Sequence, residues 1–158
     1  MKKTEGGVTA AKGFLAASAA AGIKYKDRKD MAMIYSRVPC QAAGTFTTNV
    51  VKAAPVKWDQ KLVKESGKAQ AVVINAGIAN ACTGAEGYSY CKATAQAAAE
   101  ALGVSEDGVL VASTGVIGMQ LPMDRLTAGI RMMAPLLSDT LESGTEAAKA
   151  IMTTDTEK

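Results

Sequence analysis

The stretch AVVINAGIANACTG, residues 71–84, decides the fold class. Ala71-Val72-Val73-Ile74 is a compact, largely β-branched run, the mark of a strand covered on both faces, and Asn75-Ala76-Gly77 closes it. The small-residue loop from Asn75 to Gly84 leads into an amphipathic helix. There Tyr88, Cys91, Ala95, Ala98, Ala99 and Leu102 share one face at helical spacing, and Gly103 caps the end. A second compact strand, Val109-Leu110-Val111-Ala112, runs into Ser113-Thr114-Gly115. Pro122 then stands near the start of another helix, with Met123, Leu126, Ile130, Met133 and Leu137 as its apolar stripe and Pro135 placed to kink or end it. Strand, loop, helix repeated in this order describes an α/β domain. A last helix is expected from about Thr145 to Met152, running into Thr153-Thr154-Asp155-Thr156.

Upstream the pattern is less decisive. Gly13 to Ile23 (GFLAASAAAGI) suits a helix by its alanines and a short strand by its bracketing glycines, and both readings stand. Asp30 to Ser36 alternates and is expected to be a strand, with the Thr-rich Ala42 to Thr48 as its partner. Pro55 is expected to break the chain, Asp59 to open a short helix over Gln60 to Glu65, and Ser66-Gly67 to end it.

A length of 158 residues suits one ordinary domain with a real core, and no repeat, low-complexity tract or linker divides it. Hydrophobic residues make up 48% but aromatics only 4%, which leaves little stacking surface for bases or sugars. Histidine is absent, which excludes a Ser-His-Asp or Cys-His set within this chain and any His-ligated metal site. Eighteen Lys plus Arg against 15 Asp plus Glu give +3, too little to argue for nucleic acid. Lys24, Lys26, Arg28 and Lys29 are interrupted by Asp27 and Asp30 and are expected to form a solvated turn. Cys40, Cys82 and Cys91 lack redox or zinc spacing and are expected to be reduced, small core residues. With no apolar run of membrane-spanning length, the expectation is a cytoplasmic protein with neither metal, nucleic acid nor membrane as partner.

Three loops concentrate small and hydroxylated residues at strand or helix ends. In Ser113-Thr114-Gly115-Val116-Ile117-Gly118, a strand ending in Thr-Gly offers a hydroxyl and backbone N–H groups that could hold a developing oxyanion. A tight turn needing Gly115 and Gly118 for positive φ explains the same residues. In Asn80-Ala81-Cys82-Thr83-Gly84, Cys82 has no imidazole base and is expected to be a buried structural thiol, with Asn75 and Asn80 stitching the loop. The hydroxyls of Thr153 to Thr156 could bind a carboxylate or amine, or could simply cap a helix exit. Neither a phosphate loop nor G-x-G-x-x-G is present.

The ordered segments GGVTAAKGF (6–14), AAGTFTTNVVKAAPV (42–56), ANACTG (79–84), VLVASTGVIG (109–118), LPM (121–123) and AIMTTDT (150–156) resemble the bifunctional glutamate N-acetyltransferase/ornithine acetyltransferase family of arginine biosynthesis. Six motifs in the family's order cover essentially the whole chain. The family usually has APKGF where this chain has Ala10-Ala11-Lys12-Gly13-Phe14, and a polar side chain where this chain has Ile78.

The resemblance implies a layered α/β/β/α sandwich, superficially like N-terminal-nucleophile hydrolases, and favours strand for Gly13 to Ile23. It implies a precursor that cuts itself before a threonine, giving α and β chains that remain together as an α2β2 heterotetramer. The freed threonine takes acetyl from N-acetylornithine and passes it to glutamate. No bound cofactor is implied, and acetyl-CoA enters only as a candidate substrate that some members use. Carried onto this chain, the oxyanion hole is Thr114 and Gly115, and the substrate-binding threonine is Thr153, with Thr154 the neighbouring alternative. The whole chain, residues 1–158, then reads as one α/β domain that is an incomplete α-chain segment, without self-cleavage site or nucleophile, inactive by itself. The alternatives are a related N-terminal-nucleophile-like amidohydrolase or aminopeptidase, and a non-catalytic fragment.

Overall fold

In a computed structural model that describes residues 6–155, the two compact apolar runs become neighbouring parallel strands. The element order is β1 (Phe14–Ala19), β2 (Met31–Gln41), α1 (Ala54–Glu65), β3 (Lys68–Ile78), α2 (Gly84–Leu102), β4 (Val109–Val116), α3 (Met123–Met133) and α4 (Leu141–Ile151), with short 3-10 turns between. One sheet runs β1-β2-β3-β4. Its first two pairings are antiparallel, and β3 pairs with β4 in parallel from Ala71↔Val109 to Ile78↔Val116, with α2 as the crossover a parallel pair requires. The mixed, layered α/β class expected from the sequence is the one that forms.

Alternation along the strands divides the core. Ala17, Ala19, Met31, Met33, Ala71, Val73, Val109 and Val111 face the layer of α1, α2 and α3. Ala16 and Ala32 face the other way, against Ala147 and Ala150 of α4. That second face is only partly covered: Ile34 and Ile74 line an open apolar groove of about 380 Å³ beside α4. No helix among the described residues is long and apolar enough to cross a membrane.

The ambiguous Gly13 to Ile23 segment is a strand in its first half, β1, because it pairs along its whole length with β2. Ala42 to Thr48 does not pair with β2. It has no regular secondary structure and is mostly exposed, and local bonds hold its end and the turn after it: the Asn49 N–H donates to Thr47 Oγ1 and the Val51 N–H to Asn49 Oδ1. Such short side-chain bonds compete with a ladder, and β1 and β3 already fill both edges of β2. Pro55 does not break the chain. It lies in the first turn of α1, where its missing N–H costs nothing, so the helix begins at Ala54 rather than after Asp59. Pro135 does end α3, which passes into a 3-10 turn over Ala134–Leu136. The last helix starts a turn earlier than expected, at Leu141, because Thr140 accepts from the Ser143 N–H as its N-cap. The expectations at Met1–Glu5 and Thr156 lie outside the described residues.

Asp59 is a residue of α1 itself, and it meets β4. The free edge of β4 would leave backbone groups unpaired, and α1 supplies partners for two of them. Trp58 Nε1 donates to the Val109 carbonyl at 3.0 Å, and the Val111 N–H donates to Asp59 Oδ1 at 3.0 Å. Burial raises the Asp59 carboxyl from its ordinary 3.8 to about 6, only partly offset by the Val111 N–H. The folded chain therefore holds this proton more tightly than the unfolded chain does. The contribution is present below pH 3.8 and is lost as pH rises through about 6. The Asp59→Asn variant removes this titration, so urea unfolding at pH 4, 5, 6 and 7 is expected to show the variant gaining on the wild type as pH rises. A constant difference across that range contradicts the assignment.

Candidate functional site

One row of register partners crosses all four strands near one end of the sheet. Ala19, Met31, Asn75 and Ser113 are consecutive register partners across the sheet, so the loops after β1, β3 and β4 gather at a single edge. This edge carries the Thr-Gly pair.

Thr114 stands opposite Ala76, and Gly115 opposite Gly77. Gly115 has φ of +132°, and a Cβ there would lie 2.3 Å from the Gly77 carbonyl carbon and 2.4 Å from its oxygen. No side chain fits, and the two strand ends touch backbone to backbone. The turn reading is thereby met, and it leaves Thr114 and Gly115 exposed. Alternate residues of a strand turn their N–H groups to opposite edges. Val111 directs its N–H away from β3 to Asp59, so Gly115, four residues on, directs its own toward the same unpaired edge. A hydroxyl and an outward N–H on adjacent residues suit a carbonyl oxygen that gains negative charge.

Both loop asparagines are buried and stitch the backbone as expected. Asn75 Nδ2 donates to the Ile78 carbonyl at 2.7 Å, and Asn75 Oδ1 accepts from Ser113 Oγ at 2.6 Å. Asn80 Nδ2 donates to the Gly87 carbonyl at 2.7 Å, and Thr83 Oγ1 donates to Asn80 Oδ1 at 2.7 Å. Ile78 belongs to the core, which explains an apolar side chain at that place.

The basic turn is not wholly solvated. Asp30 is fully buried and accepts from the Ala21 N–H at 2.8 Å and the Ile23 N–H at 2.6 Å, which pins the loop on either side of Gly22. Arg28 stacks on the Tyr25 ring at 4.7 Å and donates to the Met152 carbonyl. Lys24 packs over Gly77, where a Cβ would come within 2.7 Å of the lysine Cβ. This loop thus spans from Gly77 to the segment holding Thr153. Thr153 is half-buried, and its N–H donates to Asp155 Oδ2 at 3.0 Å; Thr154 is exposed. No hydrogen bond among the described residues joins Thr153 or Thr154 to Thr114; what connects them is the loop from Lys24 to Arg28. Sequence reasoning missed that bridge because Asp30 looked like one more surface charge.

The cysteines correct a second expectation. All three are free, but only Cys91 is buried. Burial, with the Asp59 carboxylate nearby, pushes its thiol up to about 12. Cys82 is exposed and adopts φ of +57°, because it forms the tight corner before α2 rather than packing in the core. It borders an open cavity of about 280 Å³ with Lys52, Lys57 and Thr83. No group of three or more Cys, Asp or Glu among the described residues is placed to hold a metal ion.

The chain is 55% identical over 158 residues to the arginine biosynthesis bifunctional protein ArgJ of Symbiobacterium thermophilum, a match that covers 99% of this chain and 39% of that protein. It is 52% identical to the ArgJ of Gloeobacter violaceus, covering 96% and 37%. The chain thus spans well under half the length of these relatives. Among solved structures, the ArgJ of Bacillus halodurans superposes with a TM-score of 0.90 at 43% identity, over 96% of this chain and 78% of that one. Ornithine acetyltransferase from Mycobacterium tuberculosis, complexed with ornithine, superposes with a TM-score of 0.91 at 46% identity, over 96% and 81%. These structures share the layered fold resembling N-terminal-nucleophile hydrolases. The ArgJ family model matches residues 15–158, so nearly the whole chain, with the Thr114-Gly115 edge inside it, belongs to the ArgJ family.

Proposed function

We propose that this chain is part of an acetyltransferase of arginine biosynthesis, one that moves an acetyl group from N-acetylornithine to glutamate. The observation that carries the reading is the exposed Thr114-Gly115 pair at the free edge of β4, held where Gly115 meets Gly77 without a side chain. The Thr114 hydroxyl and the Gly115 N–H polarise the acetyl carbonyl. A threonine outside this chain attacks, its hydroxyl proton passes to the departing ornithine amine, and an acetyl-threonine ester forms. The amine of glutamate then attacks the ester, takes the acetyl group and restores the threonine. Acetyl-CoA is a further candidate donor. The α-amine of an N-terminal threonine can serve as the base for its own hydroxyl.

Thr153, with Thr154 as the neighbouring alternative, binds the amino-acid substrate in this scheme. Their position beside the Lys24–Arg28 loop supports it. The partner is the β chain of the same precursor, within an α2β2 heterotetramer in the cytoplasm. Support for a covering partner comes from Val50, 93% exposed, Ile117, 62% exposed, and the open apolar groove beside α4.

In the complete protein, Thr114→Ala is expected to lower kcat for acetyl transfer by roughly 100-fold with a much smaller change in KM. An unchanged kcat removes Thr114 from the chemistry. Cys82 plays no part in this scheme. Iodoacetamide is expected to label Cys82 in the native protein and Cys91 only after unfolding, and Cys82→Ser is expected to keep kcat. Loss of transfer in Cys82→Ser with a native unfolding curve contradicts the threonine-based mechanism.

A further inference from the structure

One polar seam, with Asn75 buried and Ser113 partly buried, lies directly beneath the proposed oxyanion donors, and the scheme above leaves it without a role. Asn75 is 2% exposed and stands opposite Ser113 in the β3–β4 register. Ser113 Oγ donates to Asn75 Oδ1 at 2.6 Å, and Asn75 Nδ2 donates to the Ile78 carbonyl at 2.7 Å. The seam therefore ties the residue before Thr114 to the residue after Gly77. It brackets the Gly77–Gly115 contact from the helix side of the sheet.

Two features separate this seam from ordinary strand pairing. The Gly77–Gly115 contact has no side chain of its own to set its spacing, so backbone bonds, with the Ala79 N–H donating to the Val116 carbonyl at 2.9 Å among them, and this side-chain bridge hold the two ends together. The space beside the bridge, lined by Cys91, Thr94, Leu121 and Leu126, is only about 10 Å³, at the lower limit of what a water needs. A lost hydroxyl is then not readily replaced by solvent, and Asn75 Oδ1 is left without a donor.

We propose that Ser113 and Asn75 are positioning residues for acyl transfer, fixing the β4 end so that Thr114 and Gly115 aim at one carbonyl oxygen. The proposal rests on the acetyl-transfer reading above. Neither side chain touches substrate; the bridge acts through the backbone of residues 113–115. Displacements well under 1 Å at reacting groups already cost rate, and a full ångström costs up to about 100-fold.

The test uses the complete protein and the Ser113→Ala and Ser113→Thr variants. Ser113→Ala is expected to lower kcat about tenfold with KM within about twofold, while Ser113→Thr, which keeps the hydroxyl, restores most of kcat. Amide hydrogen exchange supplies a readout independent of activity. Thr114 and Val116, which the alternation turns toward β3, are expected to exchange about tenfold faster in Ser113→Ala, while Val73 is unchanged. A kcat retained in Ser113→Ala overturns the proposal. So does unchanged amide exchange at Thr114 and Val116 in Ser113→Ala, since the seam then does not hold this strand end. A wild type without acetyl transfer overturns the proposed function instead, and the exchange rates of Thr114 and Val116 then decide whether the seam holds this strand end.

Discussion

The parallel pairing of β3 with β4 organises everything else in this chain. Its two strands place Ala71, Val73, Val109 and Val111 toward the same helices, and its far ends bring Gly77 against Gly115. A parallel pair needs a long crossover, and the alanine-rich α2 provides one whose small side chains let it lie close on the sheet. Ala95 and Ala98 are fully buried there, so a larger residue at either place would have to displace neighbours. The Thr114-Gly115 pair is exposed because β4 ends at this contact and pairs on only one side.

That one-sided pairing carries a cost that α1 offsets. Trp58 and Asp59 each meet a backbone group on the outer edge of β4, and Trp58 also packs edge-on against Tyr88 of α2 with ring centroids 5.9 Å apart. One turn of helix thus blunts half of a sheet edge and locks the helix layer. The other half of the edge, from Thr114 onward, stays exposed. The same division recurs below it, where Asn75 and Ser113 satisfy each other beside a space of only about 10 Å³.

The compact runs Ala71–Ile74 and Val109–Ala112, the α2 face from Tyr88 to Leu102 and the cap at Gly103, with φ of +67°, were all legible from local pattern. Each depends on interactions within a few residues or on a single conformational need. The misreadings share a different cause. Ala42 to Thr48 has the composition of a strand, but both neighbours of β2 were already taken. Asp59 looked like a helix-opening residue because its partner, the Val111 N–H, lies 52 positions away. Asp30 looked like a surface charge because nothing local announces that it closes a loop over Gly22. Cys82 looked like core because cysteine usually is, whereas a corner with positive φ put it outside.

By itself the sequence determined the α/β class, the order of strands and helices in the middle third, and the family, because six ordered motifs and apolar periodicity are properties of neighbours along the chain. It also placed Thr114 and Gly115 at a strand end. Tertiary structure alone decided which edge of the sheet stays open, that Gly115 meets Gly77 backbone to backbone, and that Asn75 reaches Ser113. Those contacts join residues 38 positions apart, and their energies depend on the removal of water from between them, which no local pattern records.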